Sequence, residues 1–191
     1  MTNAQIYISS IAGFLELMVY VLIIRSMRRG VTKPNLAGWV LYTVAMGMVA
    51  ASSIALGAWQ VLYLVSAYLI GQVTIIALSF RTGYFAFSKF DYACIALSLL
   101  GLLLWIQTTD PLYALVLNIA VDALGTLAIA RKVYLHQETE DRLAWTLASG
   151  VAILNLFAVT SFDIRNALFP IYIVFANVLI AVLSFRRNRD E

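Results

Sequence analysis

The chain has 191 residues, of which 62% are hydrophobic and only 12% are charged. A water-soluble domain cannot bury that much apolar surface, so the composition predicts an integral membrane protein and excludes a soluble one. One cysteine, Cys94, and one histidine, His136, exclude an internal disulfide and a His/Cys metal cage. The net charge of +3 is explained by membrane topology and does not indicate a nucleic-acid-binding surface.

Seven apolar runs approach or reach the roughly 20 residues that a membrane-spanning helix needs. Short polar connections separate them, and the period of two that would indicate barrel strands is absent. The predicted spans are Gln5–Ile24, Leu36–Leu56, Trp59–Phe80, Tyr92–Gln107, Leu112–Ala130, Leu143–Phe162 and Ala167–Phe185. The predicted fold class is therefore all-α integral membrane, with seven transmembrane helices.

The basic residues predict the orientation of these helices. Twelve of the thirteen Lys and Arg side chains fall in the first, third and fifth connections or at the C-terminus, and only Arg165 lies on the other side. The positive-inside rule then places the N-terminus outside and the C-terminus in the cytoplasm, with a bacterial inner membrane as the expected location. The four tryptophans lie near helix ends and are interpreted as an aromatic belt; they are Trp39, Trp59, Trp105 and Trp145.

The first part of the sequence recurs in the second. The segment GQVTIIALSFR at 71–81 returns as ANVLIAVLSFR at 176–186, and at an offset of 106 Trp39 falls on Trp145 and Glu16 on Asp122. Helices 1–3 therefore correspond to helices 5–7, and the unmatched helix 4 adds the crossing that lets both units point the same way. The prediction is a 3+1+3 parallel repeat, with three-helix units at 1–90 and 110–191 and a linker helix at 91–109.

Two carboxylates and two amides lie at one predicted depth in the membrane. Glu16, Gln72, Asp122 and Asn177 each precede an arginine by nine residues, which is about 13 to 14 Å of helix. That depth is near the midplane of a hydrocarbon layer about 30 Å thick. An ionisable group there costs roughly 2.5 to 3.5 kcal/mol on insertion scales, so it generally faces a cavity or a partner. In the alternative interpretation, the carboxylates bond to the amides and hold the bundle together.

The pattern predicts a polar binding site at the midplane. Its predicted substrate-binding residues are Gln72, Asn177, Glu16, Asp122, Asn118 and Asn155. Glu16 and Asp122 are candidates for proton coupling, because such acids act as relays, and a cationic solute is the alternative that their charge suggests.

Gly13, Gly125 and Pro170 are candidate hinge positions, with helix packing as the alternative for the two glycines. No zinc-protease motif, Gly-rich phosphate loop or G-x-S-x-G motif is present, so the sequence predicts neither an enzyme nor a cofactor or metal. The expected partners are membrane lipid and a small polar solute, with no nucleic acid. Association into a homo-oligomer is left open.

The 3+1+3 arrangement with midplane amides resembles the SWEET and PQ-loop (MtN3-like) superfamily of seven-helix transporters. The loops TKPNLAGW and ETEDRLAW also resemble those of small bacterial members of this class. The resemblance implies an alternating-access transporter whose third and seventh helices contact the solute through Gln72 and Asn177. The PQ dipeptide of the family is absent from both units. The rival interpretation is a ligand-binding receptor or interaction protein on the same fold, without transport.

Overall fold

The computed structural model describes residues 3–55, 59–82, 87–159 and 162–186. Within these ranges it contains seven α-helices, one 3-10 turn and no strand, which confirms the all-α class and the number of predicted helices. The helices are α1 (Asn3–Arg28), α2 (Leu36–Ala55), α3 (Trp59–Thr82), α4 (Lys89–Gln107), α5 (Pro111–Leu135), α6 (Arg142–Leu156) and α7 (Ile164–Ser184), with the 3-10 turn at Gln137–Thr139.

Four of the described helices are long and apolar enough to cross a membrane: α1, α4, α5 and the Ala167–Ser184 part of α7. Shorter apolar stretches occupy α2, α3 and α6. The outer surface is rich in large apolar side chains such as Phe14, Leu100 and Phe175. Such a surface is unfavourable in water and suits a hydrocarbon environment, so length, composition and surface all agree with a membrane location.

The prediction that the sixth helix reaches Phe162 is wrong, because α6 ends at Leu156. The N–H groups of Phe157, Ala158 and Val159 bond to carbonyls three residues back, which tightens the chain into turns. The carbonyl of Val159 then accepts a hydrogen bond from Gln5 Nε2 of α1 at 3.2 Å. Hydropathy stays high through this segment, so it does not reveal the change from helix to turn.

The two helices that follow the basic loops begin with the same kind of cap. Asn35 Oδ1 accepts a hydrogen bond from the Gly38 N–H at 2.7 Å, and Asp141 Oδ1 accepts one from the Ala144 N–H at 2.9 Å. Each cap satisfies a backbone donor that the first turn of a helix leaves free. Asn35 and Asp141 are 106 positions apart, so the cap recurs at the offset of the sequence repeat.

The packing order is the same in the two groups of three helices. α3 packs against both α1 and α2, and α7 packs against both α5 and α6. Among the described residues, the backbones of α1 and α2 do not approach each other closely, and neither do those of α5 and α6. The groups meet through α1 against α6 and α2 against α5, while α4 lies outside them against α5 and α2.

The tightest packing lies at one end of the bundle. We define the basic end as the end that carries Arg25, Arg81, Arg131 and Arg186. Most of the largest fully buried side chains lie toward that end, including Ile75, Ile129, Val133 and Ile180. They belong to one apolar cluster drawn from α1, α2, α3, α5, α6 and α7, so the helices are closely joined there.

Candidate functional site

A cavity of about 300 Å³ lies at the centre of the bundle. Every described helix except α4 contributes side chains to its wall. The four predicted midplane residues, Glu16, Gln72, Asp122 and Asn177, all line it. The two carboxylates and two amides therefore face an interior space.

The other predicted site residues divide into two groups. Asn155 of α6 lines the cavity, as do the hinge candidates Gly13 and Pro170. Asn118 does not; it is buried on α5 one turn before Asp122, outside the cavity wall. The cavity therefore gathers five of the six predicted substrate-binding residues.

Gly125 also lies outside the cavity wall, at a close approach between α5 and α2. A Cβ at this position would lie 2.9 Å from a ring carbon of Tyr42 and 3.1 Å from the Gly38 carbonyl oxygen. The same holds for Gly38, where an added Cβ would lie 2.9 Å from the Gly125 carbonyl oxygen. Two helices can approach this closely only where side chains are absent, which favours the packing interpretation of Gly125 over the hinge interpretation.

Asp122 is held in a hydrogen-bond network. The Tyr172 hydroxyl donates to Asp122 Oδ2 at 2.7 Å and lies 3.0 Å from Thr126 Oγ1, which is also 3.0 Å from the Tyr42 hydroxyl. The network ties α5 to α7 and α2. The interpretation that a midplane carboxylate holds the bundle together therefore describes Asp122, although its partner is a tyrosine and not an amide.

Glu16, the repeat counterpart of Asp122, has a different environment. Its side chain is buried with 9% exposure, yet among the described residues its carboxylate accepts no hydrogen bond and forms no ion pair. Nearby in the cavity wall, Gln72 is 4% exposed and lies beside the Tyr20 side chain. Its Oε1 has no partner in the described part of the chain. Because buried polar atoms are normally paired, Gln72 Oε1 is an unsatisfied acceptor, and the Glu16 carboxylate faces the cavity without a partner among the described residues.

Asn177, the second amide of the predicted pair, makes only a weak contact with its surroundings. Asn177 Nδ2 lies 3.5 Å from the Ala148 carbonyl oxygen of α6, the limit of a hydrogen bond. No hydrogen bond joins Asn177 to Gln72 in the described structure. The two amides therefore face the cavity separately and do not bond to each other.

The aromatic-belt interpretation is wrong for Trp39 and Trp145. Their side chains are 3% and 4% exposed, and the ring centroids are 6.3 Å apart. Both line the cavity on its basic-end side, where they form what we call its floor. Hydropathy predicts a depth for these side chains, but it does not tell whether a side chain at that depth faces lipid or the interior.

The floor is anchored by an ion pair that the sequence analysis did not find. Trp145 Nε1 donates to Glu140 Oε2 at 2.9 Å, and Lys132 Nζ donates to Glu140 Oε1 at 2.7 Å and to the Thr139 carbonyl at 3.0 Å. Both members of the Lys132–Glu140 pair are buried. Glu140 lies in the same acidic loop as Glu138, which is exposed, and nothing in the local sequence distinguishes the two.

Three tyrosines line the cavity, and no binding role was predicted for them from the sequence. The rings of Tyr20 and Tyr68 are 6.1 Å apart at 86°, and Tyr20 and Trp39 are 6.3 Å apart at 61°. Tyr42 packs against the other side of Trp39 at 5.8 Å. A signal was present, because Tyr20 follows Glu16 by four residues and Tyr68 precedes Gln72 by four, which puts each pair on one helix face.

No family model, curated protein or solved structure matches this chain in the three comparisons made. Within the described ranges, no group of three or more His, Cys, Asp or Glu side chains is placed to hold a metal ion. The chemistry of the cavity follows from its wall, which combines two carboxylates, amides, tyrosine hydroxyls and apolar side chains.

Proposed function

We propose that the protein is a membrane transporter that moves a small polar solute by alternating access. In this proposal α1–α3 and α5–α7 are parallel three-helix units that rock about the cavity, and α4 is the linker between them. The observation that carries it is the make-up of the cavity wall, because sixteen of its residues form eight pairs at the repeat offset. They are Glu16 with Asp122, Trp39 with Trp145, Tyr42 with Ala148, Met46 with Ala152, Val49 with Asn155, Val65 with Pro170, Tyr68 with Ile173, and Gln72 with Asn177.

A site walled by equivalent residues lies on the boundary between two repeats. Transporters built from repeats place their substrate site at this boundary near the bilayer midplane. Movement of one unit against the other can then open the same site first to one side of the membrane and then to the other. The shared wall therefore supports transport over a fixed structural role.

Two contacts support an axis relating the units. The Lys33 N–H donates to the Thr139 carbonyl at 3.0 Å, and Trp39 contacts Trp145. In each contact the two residues are 106 positions apart, so each residue touches its own counterpart. Counterparts meet close to a two-fold axis. Parallel repeats require such an axis to run along the bundle.

The helix boundaries give independent support. α6 begins at Arg142, 106 positions after the start of α2 at Leu36. Both starts follow the matched caps of Asn35 and Asp141.

The cavity is closed at the basic end by the Trp39–Trp145 floor and the apolar cluster beneath it. Under the positive-inside rule the basic end is cytoplasmic, so this conformation is closed to the cytoplasm. The transport cycle then needs a second conformation in which the floor residues separate.

Solute uptake into liposomes tests the proposal. The purified protein is reconstituted and assayed with labelled sugars, amino acids, vitamins and organic cations, with and without an imposed pH gradient. We expect uptake of one class by the native protein and its loss in Gln72→Ala. Uptake that is unchanged in Gln72→Ala would remove Gln72 from the site.

The same assay tests proton coupling. We expect uptake driven by a pH gradient in the native protein and loss of that dependence in Glu16→Gln, because the amide cannot carry the proton. Uptake that is still driven by the pH gradient in both Glu16→Gln and Asp122→Asn contradicts the coupled mechanism.

The buried Lys132–Glu140 pair favours a second candidate, a ligand-binding receptor whose basic end stays shut. Such a receptor would bind at the cavity without flux. A ligand that raises the unfolding temperature of the purified protein but never crosses reconstituted vesicles would support the receptor over the transporter.

A further inference from the structure

The cavity wall offers acceptors that have no donors. The Glu16 carboxylate is buried and unpartnered among the described residues, and so is Gln72 Oε1. None of the described residues lining the cavity is a lysine, arginine or histidine. The polar groups that this part of the wall lacks are therefore N–H or O–H donors.

The charges lead to the same conclusion. Two carboxylates face the cavity, and within the described part of the chain only Asp122 receives a hydrogen bond, from Tyr172. A buried carboxylate is costly unless it is paired and hydrogen-bonded. A positively charged occupant offsets that cost at Glu16, whereas an anion adds to it.

The aromatic wall also favours a cation. Tyr20 and Tyr68 meet at 86°, so their rings form the two sides of a corner, and Trp39 continues the wall beside Tyr20. A cation is attracted to the faces of such rings, most strongly in sites shielded from water. Both Tyr20 and Tyr68 lie one helical turn from an unpartnered acceptor, Glu16 and Gln72 respectively.

The rest of the wall sets the character of the occupant. Two thirds of the lining residues have aliphatic or aromatic side chains without a hydroxyl, amide or carboxylate. A polyol needs donors and acceptors around its whole surface, which this wall does not supply. An apolar body with one charged head matches it better.

We propose that the cavity binds an organic ammonium ion with an apolar body. Glu16 is its counter-ion, Gln72 Oε1 accepts one of its N–H groups, and Tyr20, Tyr68 and Trp39 surround it. This inference rests on the site of the proposed function and names the class of its solute.

Matched amines and alcohols test the inference directly. The probes are 2-phenylethylamine against 2-phenylethanol and cyclohexylmethylamine against cyclohexylmethanol, since the members of each pair differ in the charged head and little in shape. Binding to the purified protein is measured by calorimetry and by the shift in unfolding temperature. We expect each amine to bind at least about tenfold more tightly than its alcohol.

The variants separate the named residues from general charge effects. Glu16→Gln is expected to reduce the preference for the amine by about tenfold or more, and Gln72→Leu to weaken amine binding without a change in net charge. Glu138→Gln removes the same charge from an exposed loop position and should leave the preference intact.

Equal binding of amine and alcohol, binding of neither amine, or an unchanged preference in folded Glu16→Gln overturns the inference. A folded Gln72→Leu that binds amines as the native protein does removes Gln72 Oε1 from it. Failure of the proposed function looks different: amines bind selectively, but no flux occurs in reconstituted vesicles. Flux of a neutral solute without amine binding overturns the cation inference and leaves transport standing.

Discussion

At the scale of single residues, the two repeat-related carboxylates have separate tasks. Asp122 is fixed by Tyr172, and through Thr126 it is connected to α2. Glu16 faces the same cavity without a partner from the described protein. The nine-residue spacing to an arginine predicts one depth for both acids. The surrounding side chains bond one of them to α7 and leave the other facing the cavity.

Replacement of Tyr172 tests the role of Asp122 as a link. Tyr172→Phe removes the hydroxyl that donates to the buried carboxylate, so we expect a loss of about 1 to 3 kcal/mol in unfolding free energy. Unfolding in detergent, followed by temperature or denaturant, measures it. Tyr7→Phe is the control because Tyr7 is 70% exposed. Equal stability of the two variants would show that the hydrogen bond does not hold the bundle.

The ion pair beneath the floor gives a second prediction at this scale. Lys132→Met leaves Glu140 buried without its charge partner, and breaking a buried pair in this way costs roughly 3 to 5 kcal/mol. We expect a marked fall in unfolding temperature. Glu138→Gln, which alters an exposed acid of the same loop, should change it little. A Lys132→Met protein as stable as the control contradicts the assignment.

At the scale of elements, the contact between α2 and α5 is closer than the equivalent contact between α6 and α1 can be. Gly38 and Gly125 let the first pair of backbones approach, whereas their counterparts, Ala144 and Val19, carry side chains. The two interfaces that join the units therefore differ in tightness although the repeat relates them. In the proposed transport cycle, we expect motion between the two groups of helices mainly at the looser interface, α1 against α6.

Alanine substitution distinguishes the packing and hinge interpretations of Gly125. Gly125→Ala places a methyl group against Tyr42 and the Gly38 carbonyl, so overpacking should cost about 1 to 3 kcal/mol of stability. Gly150→Ala is the matched control, since nothing lies within 4 Å of the added carbon. Loss of solute flux at unchanged stability in Gly125→Ala would favour the hinge instead.

At the scale of the whole molecule, the chain offers a direct test of which end is closed. Its lone cysteine, Cys94, is buried, so a Cys94→Ser protein provides a thiol-free background. Single cysteines then replace Val49, in the cavity wall, and Ala181, in the core toward the basic end. We expect a membrane-impermeant thiol reagent to label Val49→Cys from the outside, and Ala181→Cys only from the cytoplasm and more slowly.

The two labelling rates report the two conformations. Slow labelling at Ala181→Cys corresponds to rare opening of the floor, and an amine that favours either state should shift the two rates in opposite directions. Labelling of Val49→Cys from the cytoplasmic side alone contradicts the conformation described above. Complete protection of Ala181→Cys under all conditions favours the receptor over the transporter.

Sequence reasoning identified five of the residues that line the cavity as candidate binding residues. A rise of 1.5 Å per residue turns the shared nine-residue spacing into a shared level, so Glu16, Gln72, Asp122 and Asn177 were predictable together. Which side chains face each other in the folded bundle was not predictable. The burial of Trp39 against Trp145 and of Glu140 against Lys132 depends on how helices distant in sequence turn toward each other. Local composition does not indicate how each helix is rotated about its own axis.

The contact of α1 with α6 has a consequence for the order of synthesis. The ribosome completes α1 more than a hundred residues before α6, and the α2–α5 contact likewise waits for the second half of the chain. Until then Glu16 has only α3 to shield it from lipid. A nascent chain that stops after α4 therefore presents an acidic group and an open interface to the membrane. Such a fragment should be short-lived in cells, while the completed chain persists.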